Sequence, residues 1–210
     1  MNEIKIEENV SIFVKNLDLG IDLKNLIGDL MINVVLNKKT TGSLNPQVIQ
    51  DRSKPGVQSN IIIKSENISL VTSACIRELK KIIGVDNKYP YYEENWVYIS
   101  TAGNKMSGWH KHEFTKVSDI KLSKIEWTYV FYVQIPNNLE GDEGYIMFKG
   151  SDGKITKMLP NPGDLVIFPS TLDHMPNINP KSTVDRIVLG GNFISLHNEK
   201  TEQKNTKTLI

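Results

Sequence analysis

Apolar and polar side chains alternate over Ile4-Lys5-Ile6 and again over Val10-Ser11-Ile12-Phe13-Val14, a period of two that predicts short strands at the edge of a sheet. The period then lengthens. Leu23, Leu26, Ile27, Leu30, Met31, Val34 and Val35 recur at three- and four-residue spacing, which predicts a helix capped by Asp22, with these positions on its core face and its end near Asn37. From Lys38 to Gln58 the chain is polar and carries Gly42, Pro46, Pro55 and Gly56, so a long loop is expected, one able to fold over a site. Ile61-Ile62-Ile63 is too short a run to assign. A second helix is predicted from about Ser69 to Ile83, with Val71, Cys75, Leu79, Ile82 and Ile83 inward and Gly84 placed to end it.

After Pro90 the pattern changes to short runs rich in β-branched and aromatic residues. Trp96 to Ser100, Thr128 to Ile135, Tyr145 to Phe148, Leu165 to Phe168 and Arg186 to Ile194 are the clearest of them. Helices first and strands afterwards predict an α+β fold, an antiparallel β-sandwich or squashed barrel with helices against one face. The helical support spans about 21–84 and the β core about 95–196, together one domain over 1–196, followed by a polar tail, 197–210, expected to be mobile.

Composition narrows the field. At 210 residues, 39% of them hydrophobic, the chain is long enough to bury a core as one domain. A formal charge of +1 supplies no field to attract nucleic acid or a membrane surface, and no segment approaches the roughly 20 apolar residues of a membrane span. A single cysteine, Cys75, on the inward face of the second helix, reads as a structural thiol in a reducing compartment, so the cytoplasm is the expected location.

The candidate chemistry lies in the histidines. Of four in the chain, His110 and His112 flank Lys111, and His174 follows the turn Pro162-Gly163-Asp164 and the apolar run Leu165-Val166-Ile167-Phe168-Pro169. Side chains two apart on an extended segment point to the same side, so His110 and His112 can reach one ion. Twelve residues past His174, Arg186 opens the last apolar strand and places a charge at its mouth. A metal site with an anion clamp accounts for this order. Taken singly, each residue also has a structural reading: loop histidines, a core histidine, and an arginine bridging to Asp185 or Asp173.

On these residues the chain resembles the Fe(II)- and 2-oxoglutarate-dependent oxygenases built on the double-stranded β-helix, a jelly-roll, cupin-like core, and especially their small prolyl-hydroxylase-like and phage-type members. The resemblance covers about the second half of the chain. Pro160-Asn161-Pro162-Gly163-Asp164-Leu165-Val166-Ile167-Phe168-Pro169, ending at His174, looks like the family's distal-histidine segment, and Arg186 falls where its cosubstrate arginine lies. Thr128-Tyr129-Val130-Phe131-Tyr132 resembles the strand that offers a tyrosine hydroxyl to the same carboxylate, which implies Tyr132, with Thr128 on the same face. Gly144-Tyr145-Ile146-Met147-Phe148 resembles the small-residue strand between these two. The resemblance implies Fe(II) held by His110, His112 and His174, and 2-oxoglutarate held by Arg186, Tyr132 and Thr128. It further implies O2 as oxidant, succinate and CO2 as products, and hydroxylation of a small-molecule or peptide substrate.

One position departs from the family: where its H-x-D/E motif has a carboxylate, this chain has His112. Three histidines are therefore the expected ligand set, with Glu113 as the alternative third ligand only if a local bulge turns it toward the ion. Three imidazoles supply one negative charge fewer than the usual set. The charged stretch between Glu113 and Trp127, with Lys116, Asp119, Lys121, Lys124 and Glu126, is a second candidate lid or a solvated hairpin. Two other readings compete. A cupin-type dioxygenase would use the three histidines without 2-oxoglutarate but leaves Arg186 without a role, and a non-catalytic β-sandwich would bind a partner through the same hollow.

Overall fold

The computed structural model describes residues 1–40, 57–84, 91–100, 108–112, 125–177 and 182–195. Its elements in chain order are β1 (Asn2–Glu7), β2 (Val10–Asn16), α1 (Leu23–Thr40), β3 (Val57–Asn60), α2 (Glu66–Ile83), β4 (Tyr91–Ser100), β5 (Ile125–Gln134), β6 (Ile146–Lys149), β7 (Ile155–Met158), β8 (Asp164–Pro169), β9 (Asp173–Pro176) and β10 (Arg186–Ser195). Seven strands form one sheet in the order β1-β2-β8-β5-β10-β4-β3, and three form a second in the order β7-β6-β9. All the pairings are antiparallel. Most of the loop expected over Lys38 to Gln58 lies outside the described residues, as do Glu113, most of the charged stretch before Trp127, and the tail.

Each sequence-predicted helix forms, for the reason its pattern gives. Asp22 caps α1 by accepting from the Lys24 amide at 2.9 Å. Ser65 caps α2 by accepting from the Ile68 amide at 3.2 Å, so this helix starts one turn earlier than its apolar stripe suggests. Val71, Cys75 and Leu79 on α2 and Leu26 and Leu30 on α1 are fully buried against the large sheet, each of the larger side chains contributing about 1.5–3 kcal/mol. Burial raises the Cys75 thiol far above its ordinary range, as suits a structural residue.

The stripe of α1 is narrower than expected. Met31 and Val35 are 41% and 47% exposed, because at 100° per residue Val35 lies half a turn round from Leu26. Asn33 takes the inward place instead. It is 1% exposed, its Oδ1 accepts from the amides of Ile62 and Ile63 at 2.8 Å, and its Nδ2 donates to the Ile63 carbonyl at 2.9 Å. A buried amide thus holds the Ile61-Ile62-Ile63 segment, whose Ile62 and Ile63 side chains face outward.

The large sheet has two unlike faces. Tyr129, Phe131 and Val133 of β5, Val97 and Ile99 of β4, and Ile187, Leu189 and Phe193 of β10 pack toward the helices. Val130, Tyr132 and Val188 pack instead with Ile146 and Phe148 of the small sheet, joined by Tyr98. Strand alternation therefore turns Glu94, Trp96, Tyr98 and Ser100 of β4 and Arg186, Val188, Gly190 and Asn192 of β10 into the space between the sheets, with Thr128, Val130 and Tyr132 of β5. Register arranges them in rows: Glu94-Asn192-Thr128, Trp96-Gly190-Val130, Tyr98-Val188-Tyr132, and Ser100 beside Arg186. A Cβ at Gly190 would lie 2.6 Å from Trp96 Cε2, so only glycine leaves room for the indole in the second row.

Candidate metal centre

The segment 108–112 pairs with β9. His110 and His174 face each other across an antiparallel bridge and exchange both backbone hydrogen bonds, each 3.1 Å, and the His112 amide donates to the Ser170 carbonyl at 2.9 Å. Directly opposed residues of such a pair are about 5.5 Å apart at Cα, so the bridge brings His174 to the pair on one side of the chain. Ring centroids are 4.2 Å apart for His110 and His174, 5.1 Å for His112 and His174, and 5.6 Å for His110 and His112. One ligand atom of each lies within 4.8 Å of the others, and no carboxylate joins the group among the described residues.

The other nitrogen of each ring is occupied. His110 Nδ1 lies 3.1 Å from the Gly108 carbonyl, His174 Nδ1 3.0 Å from the Leu172 carbonyl, and His112 Nδ1 2.8 Å from Asn192 Oδ1. An oxygen acceptor makes Nδ1 the protonated atom and leaves a lone pair on Nε2, the usual arrangement of metal-ligating histidines. Burial, with the charges of His110, His112 and Arg186, drives His174 well below its ordinary pKa. Burial lowers His112 too, against the hydrogen bond to Asn192, which works the other way. Both are neutral donors at neutral pH. The donor set therefore fits a divalent transition ion such as Fe(II).

The turn before β8 is built for its place. Gly163 sits at φ +89°, in the left-handed region, its amide donates to the Tyr132 carbonyl at 2.8 Å, and Asp164 accepts from the Asn161 amide at 2.8 Å and from Asn16 at 2.9 Å. That turn and the short β8–β9 connection deliver His174 beneath Phe168, 4.6 Å away between ring centroids. His174 is 4% exposed, whereas His110 faces solvent. On the His110 side, Lys149 lies over the Trp109 ring at 5.9 Å and Lys111 pairs with Asp173 at 3.8 Å.

Arg186 is 3% exposed and takes part in none of the ion pairs among the described residues. The Asp173 carboxylate is turned to Lys111, and the Asp185 carbonyl accepts from Gln134. Arg186 Nη2 reaches Tyr132 Oη only at 3.4 Å, and Nε has no partner. Tyr98 Oη and Ser100 Oγ are buried as well and have no hydrogen-bond partner among the described residues. A buried guanidinium and two buried hydroxyls with unmet hydrogen bonds among the described residues suit an anionic guest. Thr128 is placed otherwise: its hydroxyl donates to Asn192 Oδ1 at 3.0 Å and lies 3.3 Å from His112 Nδ1. It stands four residues, roughly 13 Å, from Tyr132 along β5. Ser100, Asn192 and Glu94 carry no motif signal. Stepping by two along β10 from Arg186 through Val188 and Gly190 leads to Asn192, a polar residue in an apolar strand, and register then leads to Glu94.

By sequence, no protein-family model and no curated protein matches the chain. By structure it resembles a Pseudomonas putida prolyl-4-hydroxylase, at TM-score 0.57 and 16% identity over 87% of this chain and 91% of that one. The fold is that of the 2-oxoglutarate- and Fe(II)-dependent oxygenases. A viral collagen prolyl hydroxylase of Paramecium bursaria Chlorella virus-1, solved with 2-oxoglutarate, aligns at TM-score 0.57 and 12% identity over 88% of this chain and 97% of that one. A Trichoplax adhaerens prolyl hydroxylase, solved with a peptide of hypoxia inducible factor, aligns at 0.56 and 16% over 94% and 87%. This oxygenase fold includes the double-stranded β-helix expected from the second half of the sequence.

Proposed function

We propose that this chain is an Fe(II)- and 2-oxoglutarate-dependent oxygenase, one domain over residues 1–196 acting in the cytoplasm, in which His110, His112 and His174 hold the iron. Arg186 and Tyr132 hold the far carboxylate of the cosubstrate, with Tyr98 and Ser100 as further donors. One observation carries the reading: three imidazoles with committed Nδ1 atoms face the same space between the sheets as a buried guanidinium that no carboxylate among the described residues neutralises. When bound, iron and the 2-oxo acid supply the oxidising chemistry, in which O2 decarboxylates the cosubstrate to succinate and CO2 and a substrate C–H bond is hydroxylated.

The protein's own residues do the rest. The Arg186 fork fixes a dicarboxylate by its far end, and Tyr132 packs against the guanidinium, 5.1 Å from Cζ to ring centroid. Phe148, Phe168 and Trp96 line the histidines with apolar surface and exclude water. The substrate, a peptide side chain or a small molecule, enters past Trp109 and His110. The peptide held by the Trichoplax neighbour supports a peptide in that role.

Anaerobic titration of the Fe(II) protein with 2-oxoglutarate tests the proposal. A weak visible charge-transfer band is expected, and O2 uptake coupled to succinate release in the presence of substrate. Iron binding with no spectral response to 2-oxoglutarate would overturn the cosubstrate assignment and favour a three-histidine dioxygenase of the cupin type.

A further inference from the structure

His112 is the ligand that replaces a carboxylate, and its surroundings differ from those of its partners. His110 and His174 give their Nδ1 protons to backbone carbonyls, which can only accept. His112 faces a side-chain amide, which offers oxygen or nitrogen according to how it is turned. Something must set Asn192.

Glu94 does so. Asn192 Nδ2 lies 3.3 Å from Glu94 Oε2, and a carboxylate only accepts, so the amide nitrogen must point toward β4. Oδ1 then points toward β5 and the histidines, where its two lone pairs take the Thr128 hydroxyl at 3.0 Å and His112 Nδ1 at 2.8 Å. With Oδ1 as acceptor, His112 carries its proton on Nδ1, and its lone pair is on Nε2. Asn192 is 6% exposed and Thr128 is fully buried, so water does not compete for these positions. The register row Glu94-Asn192-Thr128 supplies all three groups from adjacent strands, which fixes their spacing to the sheet itself.

We infer that Asn192, oriented by Glu94 and braced by Thr128, is the positioning residue that fixes the tautomer of His112 and so turns Nε2 toward the metal. This rests on the three-histidine reading above. It gives Thr128 a place on the metal side of the hollow, and it gives Glu94, which does not touch the ion, a say in how tightly the ion is held.

Co(II) is the probe, because it is stable in air and its paramagnetism shifts nearby protons. In the full-length parent, three hyperfine-shifted N–H signals that vanish in D2O are expected, one from each Nδ1. Asn192→Leu should bind Co(II) about 10- to 100-fold more weakly, the range for loss of a group supporting a metal ligand, and should lose one of the three signals while its circular dichroism is unchanged. Glu94→Gln releases the amide and should weaken binding in the same direction. The double variant Glu94→Gln/Asn192→Asp restores the donor-to-acceptor order, with Gln donating and Asp accepting from His112, and should recover affinity to within about threefold of the parent, with the third signal. These two variants decide the matter if Asn192→Leu does not fold. Parental affinity and three signals in Asn192→Leu, or no recovery in the double variant, would overturn the inference while leaving the metal site intact. A parent that binds Co(II) no better than His174→Ala would instead overturn the three-histidine reading and this inference with it.

Discussion

Replacing Arg186 with methionine separates a ligand-binding arginine from a structural one by the sign of its effect on stability. Arg186 is 3% exposed, its Nε meets no acceptor among the described residues, and its hydrogen bond to Tyr132 is long at 3.4 Å. A buried charge with no counter-charge opposes folding, and an unsatisfied buried donor costs about 1–3 kcal/mol. Methionine fills similar space without charge. The metal-free, cosubstrate-free variant is therefore expected to gain about 1–2 kcal/mol, or about 2–8 °C in Tm for a domain of this size. Binding of 2-oxoglutarate loses two charge-assisted hydrogen bonds of about 1.5–3 kcal/mol each, which at 1.4 kcal/mol per decade is about two to four orders of magnitude. Fe(II) uptake should hold or improve, since the charge of Arg186 acts against His174. Thermal unfolding in chelator, anaerobic Fe(II) competition and the charge-transfer titration read the three quantities separately. A lower Tm, with iron and 2-oxoglutarate weakened alike, would refute the reasoning and make Arg186 a structural residue.

Three further outcomes are expected. His174→Ala should weaken Fe(II) by more than the roughly 100-fold typical of losing a supporting group, measured by anaerobic competition with a chelator; parental affinity would exclude His174 as a ligand. In metal-free protein, His112 and His174 have lowered pKa values and the unfolded chain titrates near 6.5, so below about pH 6.5 the unfolded state binds more protons and stability falls. The stability read from urea unfolding should be steady above that pH and drop below it, by up to about 1.4 kcal/mol per pH unit for each histidine, and a flat profile to pH 5.5 would show the rings to be solvated. Gly190→Val places a Cβ against Trp96, should cost about 1–3 kcal/mol in urea unfolding and should shift tryptophan emission to the red; an unchanged spectrum would mean that the indole lies elsewhere.

What the sequence discloses depends on whether an element forms from its own pattern or from its neighbours. The second helix, β5, β8 and β10 have stripes or runs strong enough to read directly, and the turn at Gly163 announces itself by composition. β9 is four residues long and ends in Pro176, and β7 alternates on an exposed edge, so neither has a pattern of its own. Both are strands because β6 pairs with them. β3 is polar and exists as the partner of β4. The same distinction holds in the site. His110, His112, His174 and Arg186 are legible as rare residue types in a recognisable order, and Tyr132 by alternation from Thr128. Asn192 can be reached by alternation from Arg186, whereas Glu94 and Ser100 become visible only through register, because glutamate and serine are ordinary residues whose meaning here is set by what lies on the next strand.

That register also bears on why a third imidazole can stand where the resembled family has a carboxylate. Two imidazoles and a carboxylate offset one of the two charges of a ferrous ion, and a dicarboxylate cosubstrate together with the cationic arginine brings the assembled site to neutrality. With three neutral imidazoles, the assembly proposed above would carry one positive charge in excess, in a place where Arg186 is 3% exposed and His174 4%. An unbalanced charge at such depth is costly. In the proposed site, Glu94 lies one amide beyond His112 and so brings a carboxylate near the histidines without joining them. On that reading the nearest carboxylate of this row stands two hydrogen bonds out from His112. The amide between them transmits direction, and in the arrangement inferred above it is this direction that decides which nitrogen of His112 faces the ion.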